Sequence, residues 1–263
     1  MGEDAYLDPE YARLYDWTWR DYDVDVPFYV ELAHQHGMPV LVAGCGTGRL
    51  VIALARSGVE VVGFDYSTAM LDVAFAKLEQ EPHEMRDRAR LCQADLTDFD
   101  LGREFPCVLL PNASAFHLPG RVAVTRCFRS VFAHTMPGGV AVVDVLSPER
   151  MVDQDLGHQV LVREGVNPDT GRMTRELKRV DGVSWDTQTL RVEHAFVEGD
   201  GDEAQTSTFV QQYRWLERDE GVSLLVRAGF PEVRAFGDFE QGPYTEGSPR
   251  LILAARRLER DVF

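Results

Sequence analysis

With 263 residues, 44% of them hydrophobic, the chain can bury a substantial core as one large domain or two small ones, which excludes a disordered chain. Acids outnumber bases 43 to 27, a net charge of −16 that repels phosphate and cannot release counterions from a nucleic acid. A nucleic-acid partner is thereby disfavoured, and a small neutral or cationic ligand fits better. No window approaches the roughly 18 apolar residues that span a bilayer, and the opening MGEDAYLDPEY is acidic where a secretory leader is basic and then apolar. The expectation is a soluble, cytoplasmic protein without membrane association. Cys45, Cys92, Cys107 and Cys127 show no CxxC spacing, so neither disulfides nor a metal site is expected.

Residues 1 to 36 interleave aromatics with nine carboxylates and only two arginines. The spacing of Tyr11, Leu14 and Tyr15, then of Phe28, Tyr29 and Leu32, predicts one or two short helices ahead of the main fold. From Pro39 short apolar runs alternate with helical segments, the pattern of βαβ units around a parallel sheet. Strands are expected at 39–43, 59–64, 89–93, 105–110 and 139–146, with helices at 48–57, 67–80 and 120–135; Ser67 is a good N-cap for the second helix. Residues 158–216 switch to a period of two, in runs separated by NPDTG, DGVSWD and EGDGDE. Such alternation predicts an inserted antiparallel meander with one face covered. A helix over 217–228, ended by Gly229, and two last strands in PEVRAFGDF and PRLILAARR complete the fold.

The richest segment is VLVAGCGTGRL, in which an apolar strand runs into Gly44-Cys45-Gly46-Thr47-Gly48 and then into a helix. Glycines allow a tight turn and close approach of a ligand, and the helix start offers free N–H groups, so a nucleotide-like cofactor is implied. Arg49 stands where a dinucleotide fingerprint has Gly or Ala, and Arg49-Leu50 is not the Lys-Ser/Thr of a P-loop.

With AGCGTGR followed by VVGFDYSTAML, QADLTDF, FPCVLLPNASAFHL, PGGVAVVDVLSPE and the closing AGF, GDF and PRLILAA, the sequence resembles the class I S-adenosylmethionine (SAM) dependent methyltransferases. The resemblance implies a doubly wound, mostly parallel seven-stranded Rossmann-like sheet (α/β) with an N-terminal helical lid over 1–36. The core would be 37–150 with 217–263, and 151–216 an inserted sheet over the active site. It also implies SAM as cofactor, leaving as S-adenosylhomocysteine, with Ala43, Gly44, Cys45, Gly46 and Gly48 in its turn. Asp65 would hold both ribose hydroxyls, Asp95 the adenine amino group, with Leu96 beside the ring and Tyr66 and Met70 flanking the adenosine. Pro111 and Asn112 would lie at the methionine end. The family's usual acid two residues before the first glycine is here Val42, so Asn112, the Ala43 backbone or a lid residue would compensate, and Pro106 replaces a frequent Asp in the fourth strand.

Among methyltransferases the chain resembles the small-molecule N-methyltransferases of bacterial antibiotic pathways, including those that act on amino sugars and lincosamides. That likeness places Tyr11, Tyr15 and Trp19 of YARLYDWTW near the methyl group and methionine moiety, and His117 of SAFHL, with Phe116 shaping the pocket, beside the acceptor. A histidine there can take the proton of an amine held cationic by the negative field. The expectation is a methyltransferase of secondary metabolism acting on a small, cationic amine, with a homo-oligomer as a further expectation. An O-methyltransferase and a non-catalytic SAM-binding regulatory protein remain as alternatives.

Overall fold

The computed structural model describes residues 5–147 and 157–259. Of the expected segments, residues 1–4 of the lid, 148–156 at the junction of core and insert, and 260–263 lie outside the described residues.

A 3-10 turn, Ala5–Leu7, leads into α1 (Pro9–Trp19), whose N-cap Asp8 accepts from Glu10 N and Tyr11 N. Then come α2 (Val26–His36), β1 (Val40–Ala43), α3 (Arg49–Arg56), β2 (Val61–Asp65), α4 (Thr68–Glu79), α5 (His83–Arg88), β3 (Ala89–Gln93), β4 (Phe105–Leu110), α6 (Gly120–His134) and β5 (Thr135–Leu146). The inserted strands are β6 (Gln159–Val166), β7 (Met173–Ser184), β8 (Thr189–Glu198) and β9 (Gln205–Arg214). The chain returns through α7 (Arg218–Ala228) to β10 (Glu232–Phe236) and β11 (Arg250–Arg256).

The first sheet has seven strands in the order β10-β11-β5-β4-β1-β2-β3, parallel except where β11 runs against its neighbours β5 and β10. The order reverses at β1, which lies between β2 and β4, and a doubly wound sheet opens its ligand crevice beyond the strand ends at such a point. Alternate residues of the buried strands feed two cores. Leu41, Val108 and Val143 pack with α6 and α7 on one face, and Val40, Val42, Leu109 and Val142 with α2 and α3 on the other.

The second sheet is the four-stranded antiparallel meander β6-β7-β8-β9. Strand β7 runs through DGVSWD as far as Ser184, because a register shift between Val180 and Gly182 absorbs a residue and moves the turn to Trp185–Gln188. Helix α1 is wedged between the two layers: Tyr11, Ala12 and Leu14 pack with Ala69 and Met70 of α4 and with Phe196 of β8.

Candidate active site

Beyond β1 the chain makes the glycine turn, with φ of +72°, +54° and +77° at Gly44, Gly46 and Gly48. A Cβ on Gly44 would lie 2.9 Å from Ser114, and one on Gly48 2.9 Å from the Ala74 Cβ. Glycine thus serves both the left-handed conformation and the close approach of α4 and of the loop after β4. Asp65, at the end of β2, turns back onto this loop: Oδ2 accepts from Gly46 N at 2.8 Å and Oδ1 from Ser67 N at 3.0 Å. Burial pushes its pKa above the ordinary carboxylate value, and the N–H groups of Ser67, Gly46 and Tyr66 partly offset that rise.

The turn, the end of β2, the loop after β4 and the lid enclose a cleft of about 740 Å³, counting its open mouth. Gly44, Cys45, Gly46, Asp65, Tyr66, Leu96, Pro111, Asn112, Tyr15, Trp19 and His117 line it, together with Tyr6. The chemistry of the lining fits SAM: an acid at the strand end for vicinal hydroxyls, Leu96 and Tyr66 for a ring, and glycines in the turn that leave no side chain in the way.

Six other expected residues lie outside the lining of this cleft. Ala43 is fully buried in its strand, and Gly48 packs on Ala74. Met70 is fully buried in the seam with α1, its N–H capped by Ser67 Oγ at 3.2 Å, so it packs as core rather than against a cofactor. Asp95 is exposed, accepts from Thr97 N at 2.7 Å, and lines a neighbouring groove. Tyr11 is 2% exposed and packs on Phe209 and Phe196, while its hydroxyl donates to Gln211 Oε1 at 3.2 Å. Phe116 is 1% exposed within the main core. The likeness put Tyr11, Tyr15 and Trp19 at the site; their helical spacing is that of one face of α1, of which Tyr15 and Trp19 line the cleft.

The neighbouring groove runs between the start of α6 and the inserted sheet, and it shares Tyr6, Tyr66, Leu96 and His117 with the first cleft. His117 Nε2 lies 3.0 Å from the Tyr6 hydroxyl, and the ring of Tyr213 packs on its imidazole at 4.9 Å. Tyr6 did not stand out in the sequence because it precedes the helix and has no periodic partner; Ser67 Oγ anchors it by donating to its carbonyl. From the insert, His194 bridges Glu176 Oε1 (2.9 Å, Nδ1) and the Tyr213 hydroxyl (3.2 Å, Nε2), and Tyr213 in turn donates to Gln211 Oε1.

Two buried ion pairs hold these walls. Arg49 makes a bidentate contact with Asp25, at 2.8 and 2.6 Å, and donates to Tyr22 O, which ties the lid to the glycine turn. That contact is the physical reason for an arginine at this position. Asp144 of β5 accepts from Arg250 Nε and Nη2 at 2.5 and 2.9 Å, from the Tyr29 hydroxyl at 2.9 Å and from Asn112 N at 3.1 Å. It thereby fixes Asn112 and Ala113, whose φ values of +48° and +63° are unusual for residues with side chains.

Residues 40–139 match the family model described as a methyltransferase domain. A dTDP-3-amino-3,6-dideoxy-alpha-D-glucopyranose N,N-dimethyltransferase of Streptomyces fradiae is 31% identical over 150 residues, 54% of this chain and 56% of that protein, so the match spans just over half the length of each. The solved structure of the CcbJ methyltransferase from Streptomyces caelestis is similar with a TM-score of 0.80 at 22% identity, covering 98% of this chain and 100% of its own. The SAM-bound structure of CalS10, an amino pentose methyltransferase from Micromonospora echinaspora, gives 0.69 at 23% identity, over 98% and 100% of the two chains. A methyltransferase domain thus matches residues 40–139, and the cleft at the sheet's switch point has a lining that fits SAM.

Proposed function

We propose that the enzyme methylates the amine nitrogen of a small-molecule acceptor, of the amino-sugar kind, in secondary metabolism. The observation that carries this reading is the junction of two clefts at His117 and Tyr6. One fits the cofactor and the other is open to an acceptor, and a proton-accepting side chain stands where they meet. The N,N-dimethyltransferase similarity supports nitrogen as the target.

In this reading Asp65 accepts from the ribose hydroxyls, Leu96 and Tyr66 hold the adenine with Asp95 at its rim, and Asn112, Pro111, Tyr15 and Trp19 hold the methionine end. The glycines Gly44, Gly46 and Gly48, with Ala43 and Cys45, shape the turn. SAM supplies an electrophilic methyl group on a sulfonium. The protein aligns the acceptor nitrogen behind that methyl group and removes the proton that blocks the nitrogen lone pair. His117 takes that proton, with its ring held between the Tyr6 hydroxyl and Tyr213. Tyr11 and Phe116 act one layer back, supporting the aromatic wall.

The test is mass spectrometry of products formed from labelled SAM with a panel of amines and phenols, for wild type and His117→Ala. N-methyl products, with kcat lowered about 100-fold, an altered pH profile and unchanged SAM affinity in the variant, are expected. Transfer to phenols alone, or an unchanged pH profile, refutes the assignment.

A further inference from the structure

Gln211 stands out among the polar residues of the groove. It is 6% exposed, lines the groove, and its Nε2 finds no protein acceptor among the described residues. A buried amide donor left without a partner is costly, so native structures rarely keep one that does not serve something. Its orientation is determined from the other side. Oε1 takes hydrogen bonds from two hydroxyls, Tyr11 at 3.2 Å and Tyr213, which leaves the N–H₂ end unpaired on a residue that lines the groove. Those hydroxyls are themselves held: Tyr213 by His194, which Glu176 fixes at 2.9 Å, and Tyr11 by its ring contacts with Phe196 and Phe209. The amide is therefore a rigid donor, separated from His117 by the ring of Tyr213.

We propose that Gln211 is a specificity-determining residue whose amide N–H donates to an oxygen of the acceptor a few bonds from the reacting nitrogen. A protonated amine has only donors, so the partner of Nε2 has to be a hydroxyl, ether or carbonyl oxygen. The acceptor class narrows to oxygen-bearing amines, such as amino alcohols and amino sugars. This inference rests on the reading of the groove as the amine site.

The test compares trans-2-aminocyclohexanol with cyclohexylamine, which differ by one hydroxyl, titrated calorimetrically into the enzyme–S-adenosylhomocysteine complex. Wild type is expected to bind the amino alcohol about five- to tenfold more tightly. In Gln211→Leu and in Gln211→Glu, which keeps the shape and the oxygen facing the tyrosines, that ratio falls to about one, while affinity for S-adenosylhomocysteine is unchanged and reports an intact fold. Equal wild-type affinities, no binding of either amine, or a preference that survives in both variants overturns the assignment. A separate assay with methyl-labelled SAM keeps the two claims apart: if the binding preference holds and neither amine gains an N-methyl group, N-methylation fails and the role of Gln211 stands.

Discussion

Replacing Arg250 by Leu tests how the cofactor end of the site is held. Asp144 is fully buried and Arg250 is 8% exposed, so the substitution leaves a carboxylate facing only the neutral donors Tyr29 and Asn112 N. Removing one partner of a buried pair costs about 3–5 kcal/mol. At about 2–4 °C per kcal/mol for a chain of this size, Tm should fall by roughly 6–20 °C. Because the carboxylate and main-chain oxygens of Asp144 hold the N–H groups of Asn112 and Ala113, SAM affinity measured by calorimetry should fall as well. A neutral pair, Asp144→Asn with Arg250→Gln, should lose clearly less than the sum of its two single variants. Additive costs, with a coupling below about 0.5 kcal/mol, would show that the pair does not hold the loop.

Gly48→Ala places a Cβ 2.9 Å from Ala74 at a φ of +77°, so a loss of about 1–3 kcal/mol in denaturant unfolding is expected, and an unchanged midpoint refutes the packing argument. Asp65 has a raised native pKa, so between its unfolded value near 3.9 and that higher value the native state binds more protons. Its contribution to stability therefore increases as pH falls through this window, whereas SAM affinity decreases as the accepting carboxylate is protonated. Calorimetry across pH 4–7 should show that opposition, and Asp65→Asn should abolish the pH dependence of affinity. Burial pushes the Cys107 thiol up to about 12 and also raises Cys45 and Cys127, so at pH 8 these three thiols should react with iodoacetamide far more slowly in the native enzyme than in the denatured chain, as peptide mass spectrometry would show.

The core was legible because its signals are local. A buried parallel strand is a short apolar run and an amphipathic helix has a period of 3.6, so β1 to β5 and α3, α4 and α6 emerge within a few residues of their observed bounds. The short helix α5 did not emerge: it has six residues and no buried face. The glycine turn was visible because its left-handed backbone calls for glycine, and Asp65 through the resemblance, which puts an acid at the end of the second strand. The wall of the neighbouring groove was less visible, because it is assembled from Tyr6 of the lid, the loop after β4, the start of α6 and strands β8 and β9, whose pairings are not written in any one segment. A signal was nonetheless present in the inserted strands. Leu190, Val192, His194 and Phe196 share one face of β8, and Gln211 lies between Phe209 and Tyr213 on β9. A polar residue on the covered face of an alternating strand needs a buried partner, and here that partner set is the His194, Glu176 and Tyr213 network.

The acidic lid has a different consequence from the one its composition suggests. Asp16 pairs with Lys77 at 2.5 Å, Asp25 with Arg49, and Asp21 with Arg163; Asp8 caps α1, and Glu10 accepts from Ser207. None of the described lid acids lines either cleft. The acids that do, Asp65 and Asp95, are matched by Arg49, Arg126 and Arg214, which are held by Asp25, Asp98 and Glu220. Asp16, Asp21 and Asp25 thus fasten the lid to the core and insert instead of presenting their charge to the clefts. Exposed charges beyond a Debye length, about 10 Å at 0.1 M salt, contribute little to such steering. The KM for a cationic amine should accordingly change less than about twofold between 0.05 and 0.3 M salt. A several-fold rise would mean that the net charge of −16 guides the acceptor after all, from a distance that the paired lid does not explain.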